Sequence, residues 1–310
     1  MTGVAFLFPG QGSQYAGMGR LLAGEFAEAR RVFDEADAAL GFPLSRLCFE
    51  GREEELKKTE NTQPALLAVS MAALRVLEAR GYQPDVVAGH SLGEYSALVA
   101  AKSLEFQDAL RLVKKRGRYM QEAVPEGVGA MAAILKLPEN KLDEILQEAA
   151  QGEIVTAANL NSPEQVVIAG HAGAVQRAME LAKAAGAKRA ILLPVSAPFH
   201  CPLMRPAQQR LQADLDACAF RDLSAPLVNN WQARVIESGD AAREGLFEQI
   251  PNPVRWTESM RVIAQRGVER VLEVGPGAVL SGLARNITPG LQSFKFGEPA
   301  DLEKIGNAFG

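Results

Sequence analysis

A serine with glycine two residues to either side is the most chemically suggestive spacing in this chain: Gly89-His90-Ser91-Leu92-Gly93. A G-x-S-x-G elbow holds its serine on a strained turn between strand and helix, and side chains at the two glycine positions would collide with neighbouring chain. The strain lifts the hydroxyl out of the sheet and leaves the following N–H free to bind a developing oxyanion. Short motifs of this kind occur by chance, so the flanks matter. An apolar run, Val86-Val87-Ala88, leads in and a helix-forming run leads out to Ala101, which is the strand–turn–helix context that the motif demands.

A serine nucleophile needs a base within hydrogen-bond reach, and there are only three histidines, His90, His171 and His200. His90 adjoins Ser91 on a tight turn, where neighbouring side chains point apart, so a structural role is expected. His171 falls at a strand–helix turn, where a surface or capping role is the default. His200 lies in the two-proline loop Ser196-Ala-Pro-Phe-His-Cys-Pro202, and elimination makes it the partner of Ser91. Between the two no acid sits at a strand end: Asp108, Asp143 and Glu144 have the spacing of solvated helix faces. The pattern therefore favours a Ser–His dyad whose histidine is oriented by a neutral group. Such a dyad suits a thiol acceptor, whose pKa near ~8.5 makes it easier to activate than water.

Three cysteines (Cys48, Cys201, Cys218), an odd number without C-x-x-C spacing, indicate neither a disulfide framework nor a zinc site. Cys201, beside the base, reads as inert packing. With 310 residues, 47% hydrophobic and 23% charged, the chain has ample material for a core. A net charge of −4, from 33 basic and 37 acidic residues, implies no bulk attraction to nucleic acid or membrane. Neither a signal peptide nor a membrane span is expected, and a reducing cytoplasm is the expected setting.

The elements that must position these residues alternate strand and helix. Val4–Phe8 reads as a buried parallel strand ended by Pro9-Gly10, followed by the loop Pro9–Gln14, rich in N–H groups. Phe26–Leu40 has helical spacing, and 50–58 looks like a solvated surface. Gln63-Pro64 opens a long helix with proline at its first position and Gly81 at its end. Ser103 is placed to cap a helix from about Glu105 to Glu122. From Gly127 the texture changes. Strands at Gly129–Leu135, Ile154–Asn159, Gln165–Gly170 and Arg189–Leu193 interleave with helices at Pro138–Ala150 and Ala172–Ala185, with a turn at Asn161-Ser162-Pro163. The order β-α-β-β-α-β is the ferredoxin-like pattern. Pro194–Pro206 then leads back to a larger unit with a helix at Met204–Ala217, a short strand at Leu227-Val228, a helix after Pro253 and a strand at Val268–Val274. The expected fold is α/β: a large subdomain (1–126 and 196–310) with a mostly parallel sheet covered on both faces, and an inserted small subdomain (127–195).

Several segments together carry a resemblance: GHSLGE, the N-terminal PGQGSQ, Thr62-Gln63-Pro64-Ala65, GRYMQEAVPEGVGAMAAI, PFHCPLM, NPVRW and EVGPG. In this order, over essentially the whole chain, they resemble the malonyl-CoA:acyl-carrier-protein transacylase family. The resemblance implies an α/β-hydrolase-like large subdomain with an inserted ferredoxin-like one, and an acyltransferase of fatty acid synthesis. It implies that Ser91 is malonylated and that His200 is its base. It further implies that Arg116 pairs with the free malonyl carboxylate, consistent with the bidentate grip of a planar guanidinium. The amides of Gln11 and Leu92 would form the oxyanion hole, and the backbone carbonyl of Gln249 would hold the histidine. Gln63 and Asn159 would line the site, and Phe199 would suit a compact malonyl pocket. Malonyl-CoA and acyl carrier protein would be the partners of a monomer with no metal or other cofactor. An acidic carrier would meet a local basic face, for which Lys102, Lys114, Lys115, Lys188 and Arg189 are candidates. Two rivals remain on the residues: a serine thioesterase or esterase with the same elbow, and a non-catalytic carrier-binding module.

Overall fold

The computed structural model describes residues 3–195 and 197–309, so Ser196, at the start of the His200 loop and at the expected subdomain boundary, lies outside the described residues, as do Met1 and Thr2. The strands are β1 (Gly3–Phe8), β2 (Val86–Gly89), β3 (Gly129–Leu135), β4 (Val155–Ser162), β5 (Gln165–His171), β6 (Arg189–Leu192), β7 (Leu227–Val228), β8 (Val235–Ile236), β9 (Val268–Val274) and β10 (Gln292–Phe296). They form two sheets.

The larger sheet has the order β10-β9-β1-β2-β7-β8, with every neighbouring pair parallel except β7–β8. Helices cover both faces, so its central strands are apolar on both sides. On β1, Phe6 and Phe8 join the core that includes the helix Thr59–Glu78, whereas Ala5 and Leu7 join Trp256, Met260, Leu280 and Leu283. Because β1, β2 and β9 run the same way, the loops after them emerge at one edge of the sheet. Those loops are Pro9–Gln14, the serine elbow and Gly275-Pro276-Gly277. Carboxyl ends of parallel strands are where open α/β sheets bind ligands.

The smaller sheet has the order β4-β5-β3-β6 and is antiparallel throughout, as expected of a ferredoxin-like unit. The helices Leu142–Ala150 and Ala172–Ala184 bury one face through Ile145, Val175, Ala178 and Met179 against Ala132, Ile134 and Ile168. The other face carries Met131, Ala133, Val167 and Ala169 into the core of the larger unit. The smaller sheet is joined to the larger unit by main chain. Val254 N donates to Ala158 O (2.9 Å) and Leu160 N to Val254 O (2.9 Å), a parallel bridge at Asn159, and Thr257 Oγ1 adds a bond to Leu160 O (2.9 Å).

The structure corrects several local expectations. The helix carrying Gln63 and Pro64 begins at Thr59, with Pro64 inside it. A proline there forfeits a hydrogen bond only near the helix start, where the ladder has barely begun. Thr62 Oγ1 bonds Leu56 O (2.5 Å) and Lys58 O (3.1 Å), which ties down that first turn. Ser103 caps nothing. Its Oγ donates to Arg221 O (2.6 Å), and the helix Phe106–Glu122 starts without a side-chain cap. The helix expected from Pro138 begins at Leu142, and β4 runs through Ser162, so only Pro163-Glu164 turn. Residues 50–58 are partly helical, over Glu53–Lys57. The helix Gly239–Glu248, capped by Ser238 Oγ at Ala241 N (3.3 Å), and the strands β8 and β10 have no counterpart in the sequence reading.

Candidate active site

The elbow is as tight as its glycines demand. A Cβ on Gly89 would lie 1.9 Å from the carbonyl of Gly93, and one on Gly93 would lie 2.0 Å from Phe8 O. Ser91 between them has φ 52°, a left-handed conformation unfavourable for a non-glycine residue. Its N–H donates to Asn230 Oδ1 (2.7 Å), and Asn230 Nδ2 donates to Gly89 O (2.7 Å), so one asparagine clamps both ends of the turn. His200 is also left-handed, at φ 57°. Two strained residues facing each other cost of order 1–3 kcal/mol apiece, which the surrounding packing must over-determine.

Ser91 Oγ and His200 Nε2 are 2.6 Å apart, and His200 Nδ1 lies 2.9 Å from Gln249 O. A carbonyl can only accept, so Nδ1 carries the proton and Nε2 is the free acceptor facing the serine hydroxyl. Burial, and then the nearby Arg116 charge, push the His200 pKa down to about 3, so the ring is neutral at neutral pH. No carboxylate touches the imidazole among its hydrogen-bond partners; a backbone carbonyl orients it.

Arg116 is fully enclosed, at 1% exposure. It comes from the helix Phe106–Glu122, whose next residue, Gly117, lets that helix press on the start of Thr59–Glu78: a Cβ there would lie 2.6 Å from Thr59 O. Through that contact Arg116 Nη1 reaches Gln63 Oε1 (2.9 Å), while Nη2 reaches Gln249 Oε1 (2.7 Å) and Ser91 Oγ (3.1 Å). Its guanidinium also lies over the Tyr95 ring, 5.4 Å from the centroid. Desolvation lowers its pKa, yet arginine remains charged in proteins. The result is a buried cation beside the serine hydroxyl, bonded to two neutral amides and that hydroxyl, with its Nε left without a partner among the described residues.

A cavity is lined by Ser91, His200, Arg116, Gln63, Asn159 and Phe199 together with Gln11, Leu92, Met120, Met131, Leu193 and Val195. Gln11 and Leu92 both line this space, and their amides donate no hydrogen bond among the described residues. A wider cleft continues from it between the sheets, past Gly10–Gln14, Asn161, Gln165, Val167 and Leu283.

The structure thus gathers eight of the nine sequence-selected site residues around one cavity, with the ninth, Gln249, just behind it. Of the other histidines, His90 lines the same cavity but bonds elsewhere, and His171 is not among its lining residues. His90 Nε2 pairs with Asn161 Oδ1 (2.8 Å), its ring against Trp256, and His171 Nδ1 accepts from Ile154 N (2.9 Å). Cys201 is buried, donating to Pro198 O (3.0 Å). The candidate basic residues are spread over several elements. Lys115 pairs with Asp214 (2.5 Å), Lys114 lies over the Phe42 ring, and Lys188 and Arg189 lead into β6. Two functional groups escape the sequence reading altogether, Asn230 and the buried Glu94. Glu94 Oε2 accepts from Gln249 Nε2 (2.6 Å) and Asn230 N (3.2 Å). An acid inside the apolar helix run LGEYSALVAA is the one sequence signal that could have flagged it. Among the described residues no group of three or more His, Cys, Asp or Glu side chains could hold a metal ion, and no helix is long and apolar enough to cross a membrane.

The acyl transferase domain model matches residues 5–302. The malonyl CoA-acyl carrier protein transacylase of Escherichia coli (strain K12) is 50% identical over 303 residues, 97% of this chain and 98% of that protein. The protein of the same name from Bacillus subtilis (strain 168) is 49% identical, over 98% of this chain and 96% of its own. Among solved structures, a malonyl-transacylase in complex with its type II PKS acyl-carrier protein superposes with a TM-score of 0.96 at 48% identity, covering 99% of this chain and 100% of that one. The acyl carrier protein S-malonyltransferase of Vibrio cholerae superposes at 0.95 with 46% identity, covering 97% and 99%.

Proposed function

The chain belongs to the acyl transferase domain family, among its malonyl-CoA–acyl carrier protein transacylases, and on that premise we propose that it carries malonyl from malonyl-CoA to the phosphopantetheine thiol of an acyl carrier protein by way of Ser91. The observation that carries this reading is Arg116: a buried guanidinium 3.1 Å from the nucleophile's oxygen, with no carboxylate among its hydrogen-bond partners in the described residues, is a receptor for an acyl group that brings its own carboxylate.

Transfer runs in two halves. His200 Nε2 takes the Ser91 proton as Oγ attacks the thioester carbonyl, and the amides of Gln11 and Leu92 hold the oxyanion. The C–S bond breaks, His200 returns the proton to the departing CoA sulfur, and malonate is left as an ester on Ser91. The carrier thiol then gives its proton to His200 and attacks that ester, and the serine leaves with the proton restored. Arg116 grips the malonyl carboxylate through both halves, and Gln63, Asn159 and Phe199 bound the space around it. The adjoining cleft between the sheets is suited to a pantetheine arm. A carbonyl, in place of a carboxylate, behind His200 suits a thiol acceptor better than water. Incubation with malonyl-CoA alone is expected to release one equivalent of CoA in a burst, with turnover only once holo carrier protein is added. Continuous CoA release without carrier would replace this reading with a hydrolase, and an unlabelled enzyme would replace it with a binding module.

The same reading treats residues 1–126 and 196–310 as the catalytic subdomain and 127–195 as the insert, and the protein as a cytoplasmic monomer that needs only its two substrates.

A further inference from the structure

Gln249 makes more bonds than a histidine rest requires. Its side-chain amide lies between two buried charged groups: Oε1 accepts from Arg116 Nη2 (2.7 Å), and Nε2 donates to Glu94 Oε2 (2.6 Å) and to Ser91 O (3.0 Å). Glu94, itself 1% exposed, also accepts from Asn230 N (3.2 Å), the residue whose side chain holds the Ser91 amide. A primary amide can present either end. With its oxygen toward Arg116 it completes the cradle of the guanidinium; turned over, it would point two N–H groups at a cation in a dry site.

We propose that Glu94 is a positioning residue for acyl-group selection: by accepting from Gln249 Nε2 it fixes which end of that amide faces Arg116, and so aims the guanidinium at the carboxylate of the incoming acyl group. The inference rests on the malonyl-transfer reading above. What the position requires is a strong acceptor more than a formal charge. Burial raises the Glu94 carboxyl to about 7, so a neutral acceptor is compatible with its surroundings. Serine reactivity depends on Glu94 less directly, since His200 is held by the main-chain carbonyl of Gln249 and the Ser91 amide by Asn230 Oδ1.

The test compares acylation of Ser91 by malonyl-CoA and by acetyl-CoA, read by intact mass in single turnover, in the wild type, Glu94→Met and Glu94→Gln. Met keeps the bulk without a strong acceptor and should lower malonyl acylation by roughly 10- to 100-fold while acetyl acylation changes by less than about threefold. Gln, with an oxygen to offer, should restore the malonyl-to-acetyl ratio to within about threefold of wild type. Equal losses for both acyl groups, or a Gln variant no better than Met, would overturn the inference. Should Met not be accommodated, Glu94→Ala takes its place. A chain that folds only with Glu or Gln at this position would assign Glu94 to the fold alone and overturn it as well. Wild-type labelling is the internal control: its absence strikes the malonyl-transfer reading and the inference together, whereas normal labelling with an unshifted ratio strikes Glu94 only.

Discussion

The two sides of the cleft are chemically unlike. The side built on the larger sheet carries Ser91, His200, Arg116 and Gln249, each buried or nearly so and each held by hydrogen bonds from a different part of the chain. The side built on the smaller sheet contributes Met131, Ala133, Asn159, Val167 and Leu193, with no ionisable side chain among the described residues that line the cleft. One side holds protons and charge, and the other holds shape. A barrier is lowered by preorganised polar groups, which have to be bonded in place before the substrate arrives. Selection by size needs only apolar contact, and each methylene there is worth about 1–3 kcal/mol.

The sharpest way to break this contrast is Arg116→Ala. Removing a buried charged partner costs about 2–5 kcal/mol, so malonyl acylation of Ser91 should fall by roughly 30- to several-thousand-fold while acetyl acylation, which brings no carboxylate to the guanidinium, changes far less. If the malonyl-to-acetyl ratio in single-turnover assays stays put, the charge on this side does not read the acyl group. Arg116→Lys should fall between, since an ammonium supplies charge without the fork.

A second, intermediate effect is in pH. Burial and the Arg116 charge depress His200 to about 3, so the base stays unprotonated far below the ordinary imidazole value. The acid limb of Ser91 malonylation should accordingly lie below about pH 5, and Arg116→Ala should move it upward toward the free value near ~6.5. The linkage has a definite sign. With the folded-state pKa lowered, the unfolded chain binds the proton first, so the His200 contribution to stability is intact above about pH 6.5 and is lost as pH falls from there toward about 3. Melting temperatures across that window, with His200→Asn as the reference, check it. An acid limb at about pH 6.5 in the wild type would mean that the ring is wetter than its burial implies.

The smallest change is expected on the shape side. Met131→Ala should raise acylation by branched malonyl thioesters by roughly tenfold at most and leave the malonyl burst and its pH profile in place. A loss of Ser91 reactivity in this variant would show that the smaller sheet also takes part in the chemistry.

The division also explains what could be read before the structure. The elbow was legible because its glycine spacing is compact in sequence, Gly89 being required by main chain only four residues on, and the pairing of His200 with Ser91 because histidine is so scarce. The βαββαβ order of the smaller sheet and its helices was legible because strand and helix periods alternate cleanly through it. Glu94, Asn230 and the Gln249 side chain were not. Their bonds join residues up to 158 positions apart, and a sequence displays an amide without saying which distant oxygen it reaches. Pro64 was misplaced because proline at a helix start is the usual pattern, whereas here the preceding turn is tied down through Thr62. The helix Gly239–Glu248 was overlooked because Gly239 and Gly245 weaken its local signal; packing makes up the difference, with Ala242 and Leu246 in the core.

The seam between the smaller sheet and the larger unit has a consequence for how such enzymes diversify. At Asn159 and Val254 the smaller sheet is fastened through main-chain N–H and C=O groups, which every residue type but proline supplies in full. The attachment is therefore largely blind to side-chain identity. Substitutions can accumulate on the wall that the smaller sheet provides while that sheet stays seated beside Ser91 and His200, as an interchangeable part would be.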